Sequence, residues 1–313
     1  MQVKVGVVQD YPIFFDKEKT IKKVEKICSE HSESCDLLVF PESFIPGYPR
    51  GFSFGTVVGS RTIEGREQYL EYYKNSVDLD SSNLRRLEMA AAKFNLYLVI
   101  GVTEKQVKNG SLYCSMLYIS PTHGLLGVHR KIKPTGQERI IWGESDGRDL
   151  VTFNTKIGKL GGLICWENYM PLARMAMYQQ GVEIYIAPTA DARESWIASM
   201  RHIALEGRCF VLGCNQYMKR SFYPKEYQRV LEDQAVDCRG GSVIISPLGE
   251  ILAGPLFDKT DVLLANLDLD ELIGSKLDFD VIGHYSRPDI FRLEVRNQPV
   301  IKKEIDENRK NLL

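Results

Sequence analysis

The sequence predicts an α/β fold built on mixed sheets, and three features carry that prediction. Short β-branched apolar runs alternate with amphipathic helical stretches. Turn-linked pairs of β-rich runs interrupt the alternation, so antiparallel pairs must accompany parallel ones. Glu42 and Lys131 also stand just past runs that read as strands, an apolar run ends on Cys165, and the carboxyl ends of strands are where open α/β sheets place their chemistry.

In chain order, Val3 to Val8 reads as a first strand, and Lys17 to His31 as a Lys/Glu-rich amphipathic helix. Asp36 to Phe40 is a second strand, which completes a βαβ opening. Ser43 to Ser60 is rich in Gly, Pro and aromatic residues without periodicity, as expected of an ordered loop lining a pocket. Helices are predicted over Glu64 to Asn75 and Ser81 to Phe94, the second capped by Asp80 or Ser81. Leu96 to Val102 and Leu112 to Ser120 flank a Lys108-Asn109-Gly110 turn signal and form a hairpin, and Leu125 to His129 is a further strand. The 130s and 140s lack regular pattern. Lys159 to Ile164 is a short buried strand, and Pro171 opens a helix continuing through Gln180. Glu183 to Ala187, Cys209 to Asn215, Gly241 to Ser246, Glu250 to Ala253 and Val262 to Leu267 read as strands. Ser195 to Glu206 and a stretch near Asp268 to Lys276 read as helices. Tyr217 to Asp237 is a polar, aromatic-containing excursion expected to form a rim or interface loop.

Composition narrows the function. The chain has 313 residues, of which 44% are hydrophobic, enough for a substantial core. No linker signal divides it, so residues 1–300 are expected to be one domain, with 301–313 as a short polar tail. Forty basic residues balance forty-one acidic ones, leaving no basic face for nucleic acid. The chain enters its first strand at Val3 without a leader pattern, and no apolar run approaches membrane-spanning length. A soluble cytoplasmic protein is therefore expected. Seven irregularly placed cysteines argue for free thiols in a reducing compartment rather than a disulfide framework. The five histidines show no ligand spacing, and no phosphate loop, dinucleotide fingerprint or Gly-x-Ser-x-Gly elbow occurs, so neither metal nor cofactor is expected.

The candidate chemistry rests on three strand ends. Cys165 closes an apolar run beside a helix amino terminus, whose oriented N–H groups favour a thiolate and a developing anion. Glu42 follows Phe40-Pro41, and Lys131 follows His129-Arg130. Brought to one sheet edge, they would supply nucleophile, base and cation, a complete acylating set.

These stretches resemble the nitrilase branch of the carbon–nitrogen hydrolases. Phe-Pro-Glu at 40–42, His-Arg-Lys-Ile-Lys-Pro-Thr with Glu-Arg at 129–139, Trp-Gly-Glu-Ser-Asp-Gly at 142–147 and Cys-Trp-Glu-Asn at 165–168 stand in that family's order. Gly47-Tyr48-Pro49-Arg50-Gly51-Phe52, Ala187-Pro188-Thr189-Ala190-Asp191, the run Gly240 to Gly249 and Gly283 to Asp289 are similar to plant-type nitrilases. Two departures stand out. Glu144 and Ser145 replace the usual Gln and Gly, and the chain stops soon after Lys303, short of the long tail of many relatives.

The resemblance implies a four-layer α-β-β-α sandwich whose subunits pair through helices into dimers and larger spirals or filaments. It implies Cys165 as nucleophile, Glu42 as general base, and Lys131 with the backbone N–H of Trp166 as stabilisers of charge on the nitrile nitrogen. Glu138 would be the second glutamate ordering the site, its alternative being an ion pair with Arg139 or Lys133. Trp166 and Asn168 would flank the substrate, with Tyr48, Thr189, Ala190 and Trp196 as further pocket residues; His129 is read as structural. The implied activity is hydrolysis of a small nitrile to acid and ammonia, with amide as a possible by-product. Two rivals stand beside it, an amidase or carbamoyl hydrolase on the same scaffold and a non-catalytic interaction protein.

Overall fold

The computed structural model describes residues 1–231 and 237–296. The chain opens with β1 (Gln2–Gln9) and α1 (Lys17–His31), whose first turn is capped by the Asp16 side chain accepting from Lys19 N–H. Thr20, Ile21, Val24, Ile27 and Cys28 recur at helical spacing and face the core. Next come β2 (Leu37–Val39), a two-residue hairpin β3 (Thr56–Val57) and β4 (Ser60–Arg61), then α2 (Ile63–Asn75) and α3 (Ser82–Phe94). Strands β5 (Tyr97–Lys105), β6 (Leu112–Ser120) and β7 (Gly124–Arg130) form a meander. The second half runs β8 (Phe153–Thr155), β9 (Gly158–Gly162), α4 (Pro171–Gln179), β10 (Ile184–Thr189), α5 (Glu194–Gly207) and β11 (Phe210–Asn215). It closes with β12 (Tyr217–Met218), α6 (Lys225–Val230), β13 (Cys238–Ile245), β14 (Ile251–Phe257), β15 (Asp261–Asp268) and the single turn α7 (Glu271–Gly274).

Two mixed sheets result. One has the order β15-β1-β2-β5-β6-β7; the other runs β12-β13-β11-β10-β9-β8, with β14 on β13. In each, three central strands are parallel and antiparallel strands flank them. Strand alternation sorts the apolar side chains into three layers. Val5, Val7, Leu37, Val99, Ile184, Ile186, Phe210 and Leu212 form the interior between the sheets. Val8, Leu38, Leu98 and Ile100 point outward against α1 and α3, while Tyr185, Ala187, Val211 and Val243 do so against α4 and α5. The order is helix, sheet, sheet, helix, the expected sandwich.

Several expectations need correction. Ser81 is the N-cap of α3 but makes no capping bond, because its hydroxyl turns back to donate to Asp78 O at 2.5 Å. The Ser43 to Ser60 loop contains the β3-β4 hairpin, and the patternless 140s lead into β8, which pairs with β9. Tyr217 to Asp237 is no simple polar loop. It carries β12, a 3₁₀ turn at Arg220–Phe222 and α6, and buries Tyr217, Met218, Tyr223, Tyr227 and Leu231; residues 232–236 lie outside the described residues. The helix near Asp268 to Lys276 shrinks to one turn. The expected tail at 301–313 lies outside the described residues. No described helix is long and apolar enough to cross a membrane.

Candidate active site

Glu42 leaves β2 on the segment Phe40–Ser43, which passes directly over β5. Gly101 makes this approach possible, since a Cβ there would lie 2.2 Å from Pro41 O and 2.7 Å from Glu42 Cα. Lys131 follows the last residue of β7, and its backbone N–H donates to Cys114 O on β6. Cys165 opens a 3₁₀ turn (Cys165–Tyr169) just past β9, with φ of +52°, a left-handed conformation uncommon for a residue bearing a side chain. Gly162 leads into it at φ of +158°, where a Cβ would meet Ile186 O at 1.9 Å. Only glycine lets β9 run this close to β10 before the turn.

The three expected groups converge. Lys131 Nζ donates to Glu42 Oε1 and to Glu138 Oε2, each at 2.7 Å, with both Lys131 and Glu42 fully buried. Glu42 Oε1 also accepts from the Cys114 thiol at 3.6 Å, while Oε2 is buried without a hydrogen-bond partner. The Cys165 thiol lies near enough to Glu42 to favour its charged form, and Cys165 Sγ accepts from Thr189 Oγ1 at 3.1 Å. Glu138 is therefore the second carboxylate on Lys131. Neither alternative partner takes it: Lys133 pairs with Glu144, and Arg139 donates to Pro134 O. Tyr48 hydroxyl and Thr135 N–H also donate to Glu138, at 2.7 and 2.6 Å.

Burial dominates the electrostatics. It raises the Glu42 pKa above the usual carboxylate range; Lys131 opposes the rise and Glu138 adds to it. Burial works against the Lys131 ammonium, yet Glu42, Cys165 and Glu138 outweigh it and hold its pKa well above the ordinary value. The Cys165 thiol is pushed up by burial and then by Glu42, against the pull of Lys131. The resting site thus favours a charged lysine beside an elevated carboxylate and an elevated thiol, with Glu42 Oε2 left without a hydrogen-bond partner.

A second buried cluster braces this one. Glu167 Oε1 accepts from Ile132 N–H at 2.6 Å, and Oε2 accepts from Ile164 N–H at 2.7 Å and contacts His129 Nε2 at 2.9 Å. His129 Nδ1 faces Asp149, whose carboxylate also accepts from Ser145 Oγ and Arg130 N–H. The residues neighbouring Lys131 and Cys165 thus hang from one carboxylate. Sequence reading kept His129 as structural but passed over Glu167, although it stands inside the Cys-Trp-Glu-Asn stretch; a lone glutamate there gives no sign of facing three donors. Ser145, which departs from the usual pattern, anchors Asp149.

The cavity above Cys165 measures about 550 Å³. Its wall includes Tyr48, Glu138, Trp166, Ala190, Asp191 and Arg50. Trp166 is 41% exposed, with its indole N–H donating to Asp191 at 2.9 Å. Three expected pocket residues do not line it, of which Thr189 is fully buried with its hydroxyl on Cys165 Sγ. Asn168 is buried behind Cys165, where its amide donates to Leu163 O and Cys165 O and accepts from Tyr185 hydroxyl. It shapes the turn rather than flanking the substrate. Trp196, only 1% exposed, packs in the outer core with Ala173 and Met177 of α4 and does not line the cavity. Among the described residues, no cluster of three or more His, Cys, Asp or Glu could hold a metal ion.

Comparison with known proteins places this geometry. Residues 4–276 match the family model for carbon-nitrogen hydrolases. A bifunctional nitrilase/nitrile hydratase from Lupinus angustifolius is 48% identical over 305 residues, covering 95% of this chain and 87% of that protein. An aliphatic nitrilase from Sinorhizobium fredii is 46% identical over 299 residues, covering 95% and 96%. The crystal structure of Saccharomyces cerevisiae Nit3, a member of branch 10 of the nitrilase superfamily, superposes with a TM-score of 0.74 at 20% identity, covering 93% of this chain and 97% of that one. An amidase from Nesterenkonia sp. shares the fold at a TM-score of 0.65 and 17% identity, covering 88% and 94%. The four motifs, the sandwich and a match over 95% of the chain agree, and the chain belongs to the carbon–nitrogen hydrolase family.

Proposed function

We propose that this protein is a nitrilase that converts a small organic nitrile to the carboxylic acid and ammonia. What carries the reading is identity near one half, along almost the whole chain, to proteins named as nitrilases; the amidase likeness is far lower and concerns the fold alone.

Cys165 Sγ adds to the nitrile carbon while Glu42 Oε2 takes the thiol proton and returns it to nitrogen, giving a thioimidate. Lys131, fixed between Glu42 and Glu138, offsets the charge developing on that nitrogen. The backbone N–H of Trp166 is the second donor. It lies in the first turn of the Cys165–Tyr169 helix, where the first intrahelical bond is made only by Glu167 N–H to Ile164 O. Glu42 then activates water, and loss of ammonia leaves a thioester that a second water hydrolyses. Should the tetrahedral intermediate expel the Cys165 thiolate instead, the product is the amide, in keeping with relatives named bifunctional nitrilase/nitrile hydratase. An elevated Glu42 suits each step, because it both accepts and returns a proton.

Residues 1–300 are read as one catalytic domain that self-associates as at least a dimer, which light scattering tests. Seven free cysteines support a reducing setting such as the cytoplasm. The central test is ammonia release with mass analysis of products from matched nitriles and amides. Acid from nitriles, none from amides, and no turnover by Cys165→Ala are expected; turnover confined to amides would move the protein to the amidases, and a fully active Cys165→Ala would end the assignment.

A further inference from the structure

Strand register brings Thr189 beside Cys165. Ile186 of β10 pairs with Gly162 of β9 in a parallel ladder, and Thr189 and Cys165 follow three residues further along the two segments. Thr189 closes β10 and is fully buried. Its hydroxyl oxygen accepts from Asp191 N–H at 2.9 Å and donates to Cys165 Sγ at 3.1 Å. The bond from Asp191 takes a lone pair and leaves the hydroxyl proton for the sulfur. The turn carrying this hydroxyl is held in its own right: Asn215 Nδ2 donates to Asp191 O, and the Asp191 carboxylate accepts from the Trp166 indole N–H and pairs with Arg193.

Valine would fill this buried strand end with nearly the same branched shape, so packing alone does not call for a hydroxyl. Burial and Glu42 push the Cys165 thiol up, while Lys131 and Thr189 oppose them. The two opposing groups are not alike. Lys131 is already bonded to Glu42 and Glu138, whereas Thr189 gives its proton to the sulfur directly. A hydrogen bond of this kind strengthens as its acceptor becomes charged.

We infer that Thr189 is a further catalytic residue, whose hydroxyl stabilises negative charge on the Cys165 sulfur and thereby sets how the tetrahedral intermediate divides between amide and acid. The inference rests on the nitrilase reading and deepens it. The intermediate formed when water adds to the thioimidate carries Cys165 Sγ, a hydroxyl and an amino group on one carbon. On the acid route the C–N bond breaks. Its electron pair stays with nitrogen, the hydroxyl proton passes through Glu42 to that nitrogen, ammonia departs, and the oxygen closes to the thioester carbonyl. On the amide route the C–S bond breaks. Its electron pair stays with sulfur, the oxygen closes to the amide carbonyl, and the hydroxyl proton passes to Glu42 and then back to the thiolate. A donor on sulfur lowers the second barrier and leaves the first almost untouched.

The test measures the amide:acid product ratio by mass analysis, on whichever nitrile wild type turns over fastest, in wild type, Thr189→Ser, Thr189→Val and Thr189→Ala. A product ratio does not depend on how much enzyme is folded, and two removals of the hydroxyl guard against one failing to fold. Wild type should form measurable amide beside the acid. Thr189→Val and Thr189→Ala should lower the ratio about 10- to 100-fold, and Thr189→Ser should keep it within about threefold. Iodoacetamide, located by peptide mass, should label Cys165 about 3- to 10-fold more slowly in both removals. An unchanged ratio in the removals, Thr189→Ser behaving like Thr189→Val, or no amide from wild type would each overturn the role of Thr189. Should wild type turn over no nitrile, the nitrilase reading fails, and labelling alone then judges the bond to sulfur: slower labelling in both removals supports it, and equal rates overturn it.

Discussion

His129 Nε2 lies 2.9 Å from Glu167 Oε2, and this contact ties the strand that delivers Lys131 to the turn that presents Cys165. The same carboxylate accepts Ile132 N–H and Ile164 N–H. In Glu167→Gln one oxygen becomes a donor, and whichever way the amide is turned, an N–H then faces another N–H. The expected outcome is a stability loss of about 1–3 kcal/mol and a fall in kcat of at least about tenfold with KM little changed. Thermal unfolding and steady-state kinetics read both; wild-type kcat would show that the clamp does not position the site.

Protonation of His129 gives a pH signature. Its pKa is raised from 6.5 to about 10: burial opposes the charge, but Glu167 and Asp149, which face the two ring nitrogens, outweigh it. The folded protein therefore holds this proton more tightly than the unfolded chain. Its contribution is complete below about pH 6.5 and is lost as pH rises through about 10. Between those limits the Tm of wild type should fall by several degrees more than that of His129→Gln. Parallel curves would mean that the buried imidazole is neutral.

Removing the lysine should be costly to the fold as well as to the chemistry. Lys131→Met leaves Glu42 and Glu138 buried together without their shared cation. A loss of about 3–5 kcal/mol is expected near neutral pH, together with loss of nitrile turnover. Because burial already raises Glu42, acidification should protonate the stranded carboxylates and recover part of the lost Tm. Denaturation across a pH series checks this, and a deficit that stays constant with pH would count against it.

Gly101 tests how closely Glu42 is placed. In Gly101→Ala the methyl would stand 2.2 Å from Pro41 O, a backbone atom that cannot swing away. The Pro41-Glu42 segment must shift, and a misplacement near 1 Å can cost about 100-fold in kcat. Cys165, on the opposite sheet, should still react with a thiol probe. A variant with unchanged kcat would show that the segment yields without moving the carboxylate.

Much of this architecture was legible because patterns of hydrophobicity report burial directly. Val5 and Val7 against Val8, or Ile184 and Ile186 against Tyr185, alternate in sequence as they do across the sheet. Glu42, Lys131 and Cys165 were legible because each stands at or just past the end of a run that reads as a strand. What stayed hidden depends on contacts distant in sequence. Glu167 and Ile132 are 35 residues apart, and Tyr48 and Glu138 are 90 apart, so no local spacing announces either bond. Asn168 and Trp196 were misplaced because residue type does not say which side of a wall a side chain occupies.

The left-handed backbone at Cys165 sets stability and activity against each other. A residue with a side chain at φ of +52° costs of order 1–3 kcal/mol, whereas glycine adopts that conformation freely. Cys165 therefore occupies a position whose backbone strain glycine would relieve. A selection for thermal tolerance that ignored turnover would drift toward Cys165→Gly, and would give up the nucleophile proposed above.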